Sequence, residues 1–135
     1  MAIKSASELE VGSTIFRVHG TNCVADIEKA VSKVVILSKP LLSQSGHLYI
    51  NICIDYISCT DEEQSYIDKM FLNDFGITDG KPVYNLNRAF NTKDEALSFG
   101  EQCVLGVFED PEDEEYYLKD KHHRENKRMM LAFNW

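Results

Sequence analysis

The sequence predicts an α+β fold: an N-terminal antiparallel sheet, or a small barrel-like β unit of about four strands, packed with two to three helices and ending in a C-terminal helix. Three observations point there. Residues 1–60 carry β-branched runs with period-two alternation, residues 61–135 carry helix-start signals, and turns rich in Gly and Pro separate the segments. A length of 135 residues suits one domain, taken as 1–135, and 44% hydrophobic with 27% charged residues is the composition of a chain that folds around a core.

Glu10-Val11-Gly12-Ser13-Thr14-Ile15-Phe16-Arg17-Val18-His19-Gly20 reads as a first strand between two glycine turns. Lys33-Val34-Val35-Ile36-Leu37-Ser38 reads as a second, approached through Ile27 and Val31. It stops at Lys39-Pro40, where proline cannot donate to a ladder. After the turn at 43–46, residues 47–55 place Leu48, Ile50, Ile52 and Ile54 on one face and Tyr49, Asn51, Cys53 and Asp55 on the other. This is the clearest strand in the chain.

At Thr60 the pattern changes. Thr60-Asp61-Glu62-Glu63 fits a capping box, and Tyr66, Ile67, Met70 and Phe71 recur at helical spacing, which predicts a helix from 61 to about 73. Phe75-Gly76 and Asp79-Gly80-Lys81-Pro82 close that unit as turns, and residues 83–90 return to an extended reading. A second capping box, Thr92-Lys93-Asp94-Glu95, opens a helix with Ala96, Phe99, Cys103 and Val107 inward, and Gly100 and Gly106, weak helix formers, leave its length open. The third helix has the strongest entry: Asp110 as cap, Pro111 at the first helical position, then Glu112, Asp113, Glu114 and Glu115. Lys119, Lys121, Arg124, Lys127 and Arg128 follow, and the chain ends on the apolar run from Met129 to Trp135.

Charge divides the chain. Residues 1–60 carry five basic and five acidic side chains, so the 9 basic and 17 acidic ones of residues 61–135 hold the entire net charge of −8. Such a surface repels phosphates and argues against nucleic acid as the direct partner. The excess gathers at three expected helix starts, 61–63, 94–95 and 109–115, where the helix dipole favours it. No segment approaches the ~20 apolar residues of a membrane span. The first residues lack the apolar core of a secretory signal, and a cytoplasmic location is expected. Cys23, Cys53, Cys59 and Cys103 lie in or beside apolar stretches without metal-type spacing; they read as buried thiols, and no cofactor is expected.

Two stretches, Val11-Gly12-Ser13-Thr14-Ile15-Phe16-Arg17-Val18 and Phe90-Asn91-Thr92-Lys93-Asp94-Glu95-Ala96, resemble the opening strand and the strand-to-helix step of small accessory proteins of bacteriophages. The opening is also similar to small β-barrels of the KOW or Tudor kind. Residues 55–87 and those after Gly106 depart from the pattern, so no binding residue follows from it. The resemblance implies a viral origin, the host cytoplasm as the place of action, and a role in host takeover or counter-defence.

Catalysis is not expected. His19, Cys23 and Asp26 lie close along the chain but match no nucleophile motif, and His122 and His123, adjacent on a helix, point about 100° apart and cannot chelate one ion together. No phosphate loop, GxSxG, HExxH or paired CxxC occurs. Recognition of a host protein is the expectation, carried by Glu112, Asp113, Glu114, Glu115, Tyr116, Tyr117 and Trp135, which combine a dense acidic run with residue types enriched at interfaces. Capping and packing onto the chain's own sheet would account for the same residues without a partner. Two alternatives stand beside it. One is a small-ligand or nucleotide sponge using Arg17, Lys33, Lys39 and Arg88 as phosphate partners; the other is a virion or assembly component that forms a homo-oligomer.

Overall fold

The computed structural model describes residues 1–57 and 59–133. Its six strands are β1 (Thr14–His19), β2 (Val31–Ile36), β3 (Leu41–Leu42), β4 (Leu48–Ile57), β5 (Glu63–Phe71) and β6 (Asn87–Phe90). Its α-helices are α1 (Ile27–Ala30), α2 (Lys93–Leu105) and α3 (Pro111–Phe133). All strand pairs are antiparallel. β5 takes one side of β4, and β2 and β3 share the other, followed by β1 and β6. The join between β2 and β3 stays on β4, because Leu37 N–H donates to the Asn51 carbonyl (2.8 Å) and Asn51 N–H donates to Ser38 Oγ (2.9 Å). β5 and β6 lie at the two ends of the sheet and do not pair among the described residues, so the unit is an open sheet rather than a barrel.

Alternation sends apolar side chains to both faces. Ile15, Val34, Ile36, Ile50, Ile52, Ile54, Met70 and Ala89 form the first face, covered by irregular segments that supply Ile3, Leu72, Phe75 and Ile77. Val18 and Phe90, with Phe16 and Val31, form the second, covered by Cys23, Ala30, Ala96, Phe99, Cys103 and Phe108. The strap over the first face is pinned by Asp79, whose Oδ1 accepts from Ser5 Oγ (2.6 Å) and from Ala6 N–H (3.1 Å).

The helix expected at 61–73 is a strand. Residues four apart share a face in a strand as well as in a helix, so Tyr66 with Met70 and Ile67 with Phe71 satisfied both periods. The ten-residue β4 decides between them, pairing from Tyr49↔Phe71 to Ile57↔Glu63 and taking Met70 into the core. Thr60-Asp61-Glu62 is therefore hairpin loop, with Asp61 at φ +60°, and the acidic cluster at 61–63 marks no helix start.

Other expectations need smaller corrections. The strand near 83–90 begins only at Asn87, because the Asn85 side chain accepts from Asn87 N–H (3.0 Å) and donates to the Asp74 carbonyl (3.0 Å), holding the preceding residues in a turn. Val107 is exposed, since Gly106 at φ +72° ends α2 with its N–H on the Gln102 carbonyl. Gly100 does not shorten α2; a Cβ there would lie 2.8 Å from Ile27 Cγ2, so glycine is what lets α1 and the preceding turn approach. Cys23 and Cys103 are buried, but Cys53 is half-buried on a part of β4 without helical cover and Cys59 is exposed in the hairpin loop.

Candidate functional site

The sequence-predicted site residues fall on α3, and the structure sorts them into two groups. Asp110 opens the helix: its Oδ1 accepts from Glu112 N–H (3.0 Å) and its carbonyl from Glu114 N–H (3.2 Å). Its Oδ2 meets Lys4 Nζ at 2.6 Å. That hydrogen bond holds the Asp110 carboxyl below the usual carboxylate range and raises Lys4 above the ordinary lysine value.

One turn on, Asp113 points inward. Its Oδ1 accepts from Arg88 Nη2 (2.6 Å) and Nε (3.2 Å), and Arg88 Nη1 donates to the Asn85 carbonyl (2.8 Å), Asn85 Oδ1 (3.1 Å) and the Asn87 carbonyl (2.6 Å). Both side chains are buried, and the guanidinium lies over the Phe99 ring. A buried ion pair survives only when its remaining hydrogen bonds are met, and Arg88 meets them with backbone. Asp113 therefore leaves the set of partner-binding residues, and Arg88 leaves the set of phosphate partners. Period-two alternation in Leu86-Asn87-Arg88-Ala89-Phe90 held the signal, because it places Arg88 on the same face as Leu86 and Phe90 and so calls for a buried anion.

Tyr116 and Tyr117 are half-buried against the helix-covered core. The Tyr117 and Phe108 rings stand 5.4 Å apart, and a Cβ at Gly106 would lie 2.8 Å from the Tyr117 ring. The two tyrosines anchor α3. Glu112, Glu114 and Glu115 remain exposed, Glu115 joined to Lys119 one turn later (2.9 Å). Beyond the half-buried Asp120, the described side chains are exposed: Lys121, His122, His123, Glu125, Asn126, Met129 and Met130. Leu118, Met129 and Met130 are each more than half exposed. Trp135 lies outside the described residues.

The remaining candidates do not converge. Arg17 sits on the first face, its guanidinium 5.1 Å above the Phe75 ring and its buried Nε without a hydrogen-bond partner among the described residues, whereas Lys33 pairs beside Phe16 on the second face; Lys33 and Lys39 are exposed. A cleft of about 330 Å³ beside Phe90 and Phe99 is lined by Glu95, Glu109, Asp110 and Asp113, and its two cations, Lys4 and the N-terminus, are paired with Asp110 and Glu95, a lining unsuited to phosphate. Cys23 Sγ donates to the His19 carbonyl (3.6 Å) rather than to its ring, and Asp26 caps α1. Burial raises the Cys23 thiol and pushes Cys103 up to about 12, so both are poor nucleophiles. His19 is pushed below its ordinary value, first by burial and then by Arg17. Among the described residues no group of three potential ligands could hold a metal ion, and no helix is long and apolar enough to cross a membrane.

No curated protein and no solved structure matches the chain. A family model described as phage g100-like protein matches residues 3–103, from the strap over the first face to the last turn of α2, and leaves α3 outside the matched segment. That bears out the phage side of the resemblance seen in the two short motifs. The chain belongs to the phage g100-like protein family.

Proposed function

We propose that this phage protein is a non-enzymatic accessory factor that binds a host protein, and inhibits or redirects it, through the outward face and projecting length of α3. The supporting observation is how α3 is held. Asp113, Tyr116 and Tyr117 face the body, while Glu112, Glu114, Glu115, Leu118, Met129 and Met130 face outward. A helix that offers leucine and flexible methionine side chains between charges suits docking into an apolar groove with a basic rim. The position of α3 beyond the family-matched residues is in keeping with a body shared by relatives and a recognition element particular to this chain.

Capture from host lysate with the full chain as bait tests the reading. Wild type should retain one host protein reproducibly. The triple variant Leu118→Ser, Met129→Ser, Met130→Ser and the charge-reversed variant Glu112→Lys, Glu114→Lys, Glu115→Lys should each lose most of it while keeping the wild-type circular dichroism spectrum. Equal capture by wild type and both variants would overturn the proposal.

A further inference from the structure

The two edges of the sheet are finished differently. β6 is four residues long, and Ile3 N–H donates to the Ala89 carbonyl (2.8 Å), so the N-terminal segment closes that edge. β5 is nine residues long, and among the described residues no strand pairs along its outer side. A strand of that length presents a row of backbone donors and acceptors over roughly 30 Å and serves as a template for another strand; Lys69 N–H donates to Asp68 Oδ1 (2.8 Å), a bond that pairing would exchange for one to the second copy. Residues 63–69 are all exposed, with Ile67 71% exposed, and the helices pack on β1, β2 and β6 rather than over β4 and β5.

We infer that β5 is a homodimerisation edge: two copies pair β5 against β5, antiparallel, about a twofold axis at Tyr66, with Glu63 of each copy across from Lys69 of the other. The register follows from side-chain chemistry. A twofold axis normal to the sheet keeps paired residues on one face and must pass beside a residue of the strand. Placed at Ser65, it sets Asp68 against Glu62, two carboxylates. Placed at Ile67, it sets Lys69 against Ser65 and Glu63 against Phe71, leaving both charges unmatched. Placed at Tyr66, it forms the Glu63–Lys69 pair twice, sets Asp68 against Gln64, brings the two tyrosines together and lets the two Ile67 side chains meet diagonally. A lysine on an edge strand ordinarily keeps other strands away. Lys69 Nζ rests 4.9 Å from the Tyr49 ring centroid, and Glu63 of a second copy, six residues earlier in its strand, offers it an anion in this register alone.

The α3 proposal and this one use different surfaces, and the test separates them. Sedimentation equilibrium of the full chain over micromolar to millimolar concentrations should show a reversible monomer–dimer transition. Lys69→Glu and Glu63→Lys should each weaken it by on the order of tenfold or more, because two attractions become two repulsions. An equimolar mixture of these two variants should form the dimer again, since every Glu63–Lys69 contact is then replaced by an opposite-charge contact; a structural defect in either variant would not be rescued this way. A dimer that survives the α3 triple variant, with host capture that survives Lys69→Glu, keeps the two surfaces distinct. Wild type that stays monomeric throughout, variants that dimerise like wild type, or a mixture that stays monomeric would each overturn the inference.

Discussion

From Asp110 to Tyr117 the chain is fixed to the body by two ion pairs and two rings, whereas from Lys121 to Met130 the described side chains of the same helix lie in solvent. The difference shows that α3 is organised from one end. Isolated helices shorter than about 12–15 residues are marginal in water, so the outer turns depend on a nucleus that the body supplies through Asp113, Tyr116 and Tyr117. Within the outer turns the His122–Asn126 hydrogen bond (3.2 Å) is local to one turn. Residues that stabilise the helix and residues that a partner could reach are thereby separated along its length.

That separation can be broken from the inner end first. Asp113→Ala leaves the buried Arg88 guanidinium without its anion and should destabilise the protein by about 3–5 kcal/mol in urea unfolding. Arg88→Met with Asp113→Leu should recover much of the loss, because two packed apolar side chains replace the pair. Gly106→Ala comes next. It forces a β-carbon into a left-handed conformation and against the Tyr117 ring, for about 1–3 kcal/mol by the same measurement.

Asp110→Asn keeps an oxygen that can accept at the cap and removes the charge that pairs with Lys4, so it tests the ion pair. The folded carboxyl titrates below its unfolded value, so its contribution is complete above the ordinary carboxylate range and is lost as pH falls through the folded value. The variant should therefore lose less stability than wild type on acidification below about pH 4, followed by circular dichroism. The smallest effect belongs to the outer end: Met129→Ser with Met130→Ser should change stability by no more than about 0.5 kcal/mol. A cost comparable to that of Asp113→Ala would mean that the outer turns pack on the body, and the contrast between the two ends would fail.

Much of this was legible from residues alone, for identifiable reasons. Thr92 accepts from Glu95 N–H (3.2 Å), one half of the expected capping box, while the Glu95 carboxylate accepts from Thr92 Oγ (2.9 Å) and from the N-terminal ammonium instead of from Thr92 N–H; Asp110-Pro111 opens α3, and both caps were legible because a cap bond is satisfied within a few residues. β4 was visible through strict alternation and β1 through a β-branched run between two glycine turns. β5 was not, since a four-residue spacing fits both periods and the deciding partner, β4, lies across a hairpin. The acidic run at 112–115 was legible as a feature but not in its roles. One of its four carboxylates is structural, and only the position of β6 relative to α3 reveals which.

The sequence by itself determined the α+β class, the helix starts at 92 and 110, the apolar face of β4 and the uneven charge, all of which depend on neighbours along the chain. Tertiary structure alone decided that residues 63–71 are strand, that Arg88 and Asp113 neutralise one another, that Tyr116 and Tyr117 are anchors, and that the N-terminal segment closes the edge at β6. Each of these is a pairing between residues distant in sequence. Local chemistry restricts what such residues can do, and only the fold brings one candidate partner within hydrogen-bonding or packing distance.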